Sequence, residues 1–151
     1  MMDWEDEMMK KHAEVVCHNQ GDVLEIGFGM GISAKHIQEL KPKSHTIMEV
    51  HPQILEKLYE WAEGRDNVII IEGDWIKNLN KLGLYDGIFH DTFLDSSDKM
   101  KLTDYLKPGG VFTFFNGIGH NKQYEMIEMN VNPPQNKYFN KKKYYVPIMR
   151  K

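Results

Sequence analysis

Val23-Leu24-Glu25-Ile26 runs directly into Gly27-Phe28-Gly29-Met30-Gly31-Ile32-Ser33, which places three glycines at alternate positions after a short apolar stretch. A glycine costs roughly 0.5–1 kcal/mol inside a regular element, so the cluster needs a local reason. The apolar run predicts a strand, and residues 32–40 predict the helix that follows it. A glycine turn between the two lets backbone approach a ligand closely and aims helix N–H groups at an anion. Such a turn serves a dinucleotide, a phosphate or S-adenosylmethionine.

The chain has 151 residues, which predicts a single domain over 1–151 with one sizeable core. Hydrophobic residues make up 41% and charged residues 27%, with a net charge of −3, so nothing calls for a nucleic-acid or anionic-membrane partner. The short basic run Lys141-Lys142-Lys143 reads as a solvated turn. No apolar stretch approaches the ~20 residues of a membrane span. The opening MMDWEDEMMKK is acidic and amphipathic where a signal peptide is basic and then apolar. Cys17 stands alone, so no disulfide framework or thiolate metal cluster is expected. A cytoplasmic protein without a metal is the expectation.

Residues 3–18 predict a helix, with Asp3 as N-cap and Gly21 closing it. Strand-like runs then occupy 22–26, 45–50, 67–72, 84–90 and 111–115, with helical segments at 32–40, 52–63 and 96–106 and a shorter one at 75–80. This alternation predicts an open parallel sheet covered by helices. LKPGG at 106–110 reads as the end of the last helix. Two further strands are expected at 124–131 and 144–149, joined by a turn-rich segment, and Pro147 confines the last to an edge or bulge. NGIGHNKQ at 116–123 has two glycines and no helical period. Val111, Phe112, Phe114 and Phe115 are therefore expected to lack a covering helix. Such a patch predicts association into a homodimer, with exchanged strands as one form of it. A local antiparallel hairpin from the fifth strand to the sixth, in a monomer, is the alternative.

The glycine loop can be sorted by its spacing. A dinucleotide fingerprint starting at Gly27 would need glycine where Ile32 stands, and a phosphate loop of the Walker type would need a lysine that is absent. What remains is E-x-G-x-G-x-G, formed by Glu25, Gly27, Gly29 and Gly31. This resembles the motif that opens class I S-adenosylmethionine-dependent methyltransferases, whose cofactor presents a carboxylate and an ammonium to the loop. Glu25 is suitably placed to help the ammonium, directly or through water. Glu49 closes the second strand, where an acid can take the ribose hydroxyls. Gly73-Asp74-Trp75 ends the third at the height of an adenine. The implied fold is Rossmann-like α/β, mostly parallel with an antiparallel C-terminal strand, in a shortened form.

The fourth strand ends in His90-Asp91-Thr92 without the D/N/S-P-P-Y/F of base amino-methyltransferases, and Asn132-Pro133-Pro134-Gln135 lies too late in the chain to serve as it. DWEDEMMKKHA resembles the W-E-x-P-x-M-x-x-x-A segment of the guanidinoacetate N-methyltransferase and arginine δ-N-methyltransferase family. GFGMGI, FHDT, LKPGGVFTFFN and VNPPQNKYF resemble further segments of the same family, over nearly the whole chain. The resemblance implies that Glu5 and Asp91 hold a substrate guanidinium, with Thr92 beside them. It places Met9, residues Phe28, Gly29, Met30, Gly31, Ile32 and Ser33, then Glu49 with Val50 and His51, and Trp75 and His90, around the cofactor. Gly117 and Ile118 would meet the other end of the substrate. Glu7 replaces the proline of W-E-x-P, and little sequence precedes Trp4.

Two carboxylates suit this chemistry. A guanidinium has a pKa above 12 and no free lone pair, and deprotonating it at neutral pH costs roughly 7–9 kcal/mol. Paired carboxylates bind the fork bidentately, draw charge onto the held nitrogens and accept the proton as the new N–C bond forms. The leading expectation is methylation of a small guanidino molecule. Methylation of arginine in a protein is the alternative, favoured by the short sequence before Trp4. A cofactor-binding module without catalysis is another, and a metal-dependent O-methyltransferase using Asp91, Asp95 and Asn116 is the least favoured.

Overall fold

The computed structural model describes residues 5–92, 97–117, 119–134, 139 and 141–151. In chain order it contains α1 (Asp6–Val16), β1 (Asp22–Ile26), α2 (Ile32–Glu39), β2 (Ser44–Glu49), α3 (Pro52–Ala62), β3 (Val68–Glu72), β4 (Tyr85–His90), β5 (Leu106–Phe114), β6 (Glu125–Asn130) and β7 (Lys143–Arg150). The seven strands form one sheet in the order β3-β2-β1-β4-β5-β7-β6. Strands β1 to β5 run parallel, and β7 is antiparallel to both of its neighbours.

All three helices cover one face. Met8, Met9, Ala13 and Val16 of α1 pack on Val23, Phe89 and Ile37, while Leu55 and Leu58 of α3 pack on Ile47 and Ala34. The other face, carrying Leu24, Ile26, Met48, Ile88, Phe112 and Phe114, meets Trp75 and Leu102. Two 3-10 segments, Ile76–Lys81 and Ser97–Tyr105, stand there in place of the expected helices at 75–80 and 96–106. Asn78 at φ −117° breaks the first. In the second, Met100 and Leu102 stand two residues apart, which is not a helical spacing, and both pack on this face.

Three further expectations are corrected. Helix α1 starts at Asp6, with Glu5 in the cap position and no side-chain cap bond; Asp3 and Trp4 lie outside the described residues. LKPGG belongs to β5 rather than to a helix end, because Leu106 pairs with Tyr85 and the next pair is Gly87 with Val111. Lys107–Gly110 thus form a bulge, the setting in which a strand tolerates proline. Pro147 lies inside the sheet, since β7 sits between β5 and β6. The β5–β7 ladder runs over Arg150 and Met149 and stops short of Pro147, which has no N–H to give it.

The face from which a homodimer is expected is covered within one chain. Val111, Phe112 and Phe114 are buried, and Phe115 packs against Tyr144 and Phe139. Strands β6 and β7 pair with each other within the chain, so the argument for exchanged strands falls away; the alternative hairpin from the fifth strand to the sixth does not form either, because β5 pairs with β7. Among the described residues no helix is long and apolar enough to cross a membrane.

Candidate active site

From β1 the chain builds outward through β2 to β3, then returns to add β4 and β5 on the other side of β1. The carboxyl ends of β1 and β4 therefore diverge into a crevice, the place where open α/β sheets take ligands. The glycine loop, the end of β2 and His90-Asp91-Thr92 all open onto it.

All three loop glycines are left-handed, with φ of 93° at Gly27, 57° at Gly29 and 80° at Gly31. A Cβ at Gly27 would stand 2.3 Å from the Asp91 carbonyl oxygen, so the loop is pressed onto the end of β4. Gly31 caps α2, and a Cβ there would stand 2.8 Å from the Phe28 ring. That ring points inward, 5.3 Å from Trp61, so Phe28 offers the crevice its backbone and not its side chain. Met30, at 63% exposure, and Val50, at 57%, present apolar surface to solvent. Ile32 leans against the core under α1.

Glu49 organises this edge. Its Oε1 accepts the Phe28 N–H at 2.9 Å, and its Oε2 accepts those of Val50 at 2.9 Å and His51 at 3.1 Å. A carboxylate offers about four lone-pair sites, so acceptor capacity remains for a ribose hydroxyl. Gly73, at φ 120°, donates its N–H to the Glu49 carbonyl. Asp74 accepts the Ile76 N–H at 2.8 Å and so caps the 3-10 segment. Trp75 stands edge-on to His90 with centroids 5.2 Å apart, and the Thr92 hydroxyl lies 3.4 Å from His90 Nε2.

Three residues expected at the cofactor face elsewhere. Glu25 is fully buried, bonded to the Ser33 hydroxyl and, at 3.0 Å, to His45 Nε2. Both Glu25 and Ser33 therefore sit under the loop rather than in its opening. Met9 lies in the core between α1 and the sheet.

Glu5 is buried at 3% exposure, and Asp91 projects from the end of β4, its N–H bonded to the Ile26 carbonyl. Burial, followed by the negative charges of Glu25, Glu5 and Glu49, pushes the Asp91 carboxyl up to about 7. Asp91, Glu5 and Glu49 thus bring three carboxylates to one partly enclosed crevice, with the Glu25 charge acting on Asp91 from beneath the loop, an arrangement that calls for a cation. Beneath them lies a buried network with no signature in the sequence. Asn116 N–H donates to the Tyr144 hydroxyl oxygen at 2.9 Å, and that hydroxyl lies 2.7 Å from His12 Nε2. His12 Nδ1 meets Thr113 Oγ1 at 2.9 Å, and the ring stacks on Phe89. Tyr144, whose phenol is raised first by burial, feels the charges of both Asp91 and Glu5. The sequence predicts a strand at 144–149, yet nothing in it says that Tyr144 lies near enough to Asp91 and Glu5 to feel their charges. Gly117 is exposed after β5, and Ile118 lies outside the described residues.

The family model for guanidinoacetate N-methyltransferase matches residues 1–132. The chain belongs to that family. It is 43% identical over 135 residues to protein arginine N-methyltransferase 2 of Candida glabrata, covering 79% of this chain and 32% of that protein. The namesake in Saccharomyces cerevisiae is 40% identical over 154 residues, covering 87% and 37%, and that of Kluyveromyces lactis 35% identical over 192 residues, covering 99% and 47%. The chain thus spans about a third to a half of these relatives' length. Among solved structures, N-methyltransferase NodS of Bradyrhizobium japonicum superposes with a TM-score of 0.74 at 14% identity, covering 97% of this chain and 96% of that one. A putative caffeoyl-CoA O-methyltransferase of Staphylococcus aureus gives 0.66 at 16% identity, covering 98% and 84%. The fold is that of class I methyltransferases, enzymes that use S-adenosylmethionine.

Proposed function

We propose that the chain transfers the methyl group of S-adenosylmethionine to the guanidinium of an arginine residue in a protein. The observation that carries this reading is the pairing of Asp91, half-buried, with Glu5, buried, two carboxylates whose mutual repulsion helps hold Asp91 at about 7. The names of the relatives favour protein arginine over the small guanidino molecule that leads the reading of the sequence. The small-molecule reading keeps the support of the family's description.

The crevice suits the cofactor. Left-handed glycines leave room for its amino-acid end, Glu49 Oε1 can accept a ribose hydroxyl, and Met30 and Val50 offer apolar cover. S-adenosylmethionine supplies an electrophilic methyl on a sulfonium. The protein's part is to present a nucleophile. A guanidinium between Asp91 and Glu5 replaces repulsion with two charge-assisted contacts and draws Asp91 into its ionised form. The two carboxylates fix two nitrogens and leave the third aimed at the methyl. As the N–C bond forms and the methyl–sulfur bond breaks, the guanidinium gives up one proton to Asp91 from the nitrogen that this carboxylate holds.

Transfer of labelled methyl to a panel of arginine peptides, free arginine, guanidinoacetate and a catechol tests the reading. Labelled arginine peptide is the expected product. Labelling of guanidinoacetate alone would establish the small-molecule reading, and S-adenosylmethionine binding with no acceptor labelled would leave a binding module.

A further inference from the structure

Of the side chains that α1 buries, Met8, Met9, His12, Ala13 and Val16, His12 alone is polar. Methionine contacts adapt to small shifts, so the apolar ones leave the helix free to slide slightly. Hydrogen bonds weaken steeply with distance and angle, so His12 fixes α1 where its partners stand. Burial keeps the ring neutral, with one nitrogen donating and the other accepting. Both are used, Nδ1 on Thr113 of β5 at 2.9 Å and Nε2 on the Tyr144 hydroxyl of β7 at 2.7 Å.

The Tyr144 hydroxyl reaches both walls of the guanidinium site. On one side is α1. Glu5 precedes His12 by seven residues, two helical turns, and its φ of −83° and ψ of −4° continue the helix, so the two residues share a face. On the other side is the segment after β5. The β5–β7 ladder joins Val111 to Arg150 and Phe112 to Met149. Nearer the crevice Asn116 makes the join, its N–H donating to the Tyr144 hydroxyl at 2.9 Å and its Nδ2 to the Tyr145 carbonyl at 2.9 Å. One residue earlier the Phe115 N–H donates to the His90 carbonyl, and Asp91 follows His90. The path from Glu5 to Asp91 thus runs through His12, Tyr144 and Asn116. Burial raises the Tyr144 phenol most, and the charges of Asp91 and Glu5 raise it further.

We propose that Tyr144 is a positioning residue for guanidinium recognition: its hydroxyl, held between His12 and the Asn116 N–H, sets the spacing of Glu5 and Asp91. The inference rests on the reading of those two carboxylates as the guanidinium holders. A fork shared by two carboxylates needs both at hydrogen-bond distance at once, and a misplacement of about 1 Å costs on the order of a hundredfold. The cofactor edge lies outside this path. Glu49 is fixed by the N–H groups of Phe28 and Val50, and Gly27 donates its own N–H to the Met48 carbonyl. The network therefore serves one ligand of the two.

Calorimetry on the full chain saturated with S-adenosylhomocysteine, titrated with a blocked Gly-Arg-Gly peptide and with guanidinoacetate, compares Tyr144→Phe with Thr113→Val. Both remove a hydroxyl and leave a His12 nitrogen without its partner, but only Tyr144→Phe cuts the path to Asn116. Whichever guanidino ligand the unaltered chain takes is expected to bind about tenfold more weakly to Tyr144→Phe and within about twofold of normal to Thr113→Val. S-adenosylhomocysteine affinity should stay within about twofold in both. Loss of folded protein lowers the number of binding sites and not the affinity, so a purely structural role predicts no such split. Cooperative thermal unfolding shows that each variant is folded. If Tyr144→Phe is not, His12→Leu, Thr113→Val and Tyr144→Phe are combined, which leaves no side chain of the network unpaired, and the same tenfold loss is expected. Unchanged guanidino affinity without the Tyr144 hydroxyl, or equal weakening in Thr113→Val, would overturn the inference and leave the guanidinium reading standing. Weakening of S-adenosylhomocysteine by the same factor would do likewise. Failure of every guanidino ligand to bind the unaltered chain would overturn both.

Discussion

Replacing Asp91 with asparagine keeps the shape of the side chain and removes its titration, and the consequence can be worked out from the carboxylate cluster. In the folded chain this carboxyl is raised from 3.8 to about 7, first by burial and then by Glu25, Glu5 and Glu49. In the unfolded chain it titrates near 3.9. A raised folded value means that the stability linked to Asp91 is fully present below about pH 4. It is lost as pH rises, until the folded carboxyl itself has ionised above about pH 7. At about 1.36 kcal/mol for each pKa unit, the loss amounts to about 4 kcal/mol between pH 4 and pH 8. The asparagine variant carries no such loss, and all other titrating groups are common to the two chains. Asp91→Asn should therefore match the unaltered chain near pH 4 and exceed it by up to about 4 kcal/mol at pH 8. Urea unfolding of both chains in steps from pH 4 to pH 8, without ligand, gives the difference directly. A gap that does not widen with pH, or an asparagine variant less stable at pH 8, would refute the reasoning. A carboxylate kept at such a cost to stability is the mark of a site that serves binding.

Other outcomes follow from the buried groups and the loop. Burial holds His12 down at about 3, so its contribution to stability is present above about pH 6.5 and lost as pH falls through 3; His12→Gln should flatten that acid-side loss in urea titrations. At neutral pH the same variant should cost about 1–3 kcal/mol, because the Tyr144 and Thr113 hydroxyls lose a partner. Burial and the nearby Glu25 push the Cys17 thiol up to about 12, so it should react with a disulfide reagent far more slowly in buffer than in denaturant. Gly27→Ala puts a methyl 2.3 Å from the Asp91 carbonyl oxygen at a φ of 93°. It should destabilise the fold by about 2–4 kcal/mol and weaken S-adenosylhomocysteine binding, as thermal unfolding with and without that ligand would report.

Much of the sheet is legible in the sequence because β1 to β4 are compact apolar runs bounded by turns. The segments at 76–81 and 97–105 are less so, since length alone suggests helices where no apolar stripe supports one. The place of β7 depends on where its ladder to β5 ends, which a proline in isolation does not reveal. At the crevice, the glycine loop, Glu49 and Asp91 stand out because their chemistry falls at predicted strand ends. Glu25 turns under the loop because His45, 20 residues away, offers it a partner. His12 and Tyr144 meet across 132 residues, and only the packed fold brings them together.

The central claim is that Asp91 and Glu5 hold an arginine guanidinium for methyl transfer. Its most direct test is the rate at which label passes from S-adenosylmethionine, at saturating concentration, to an arginine peptide in the unaltered chain, in Asp91→Asn and in Glu5→Gln. The account predicts labelled methylarginine with the unaltered chain and a rate lower by at least two orders of magnitude in each variant, with S-adenosylhomocysteine affinity little changed. Near-normal turnover in Asp91→Asn would contradict it.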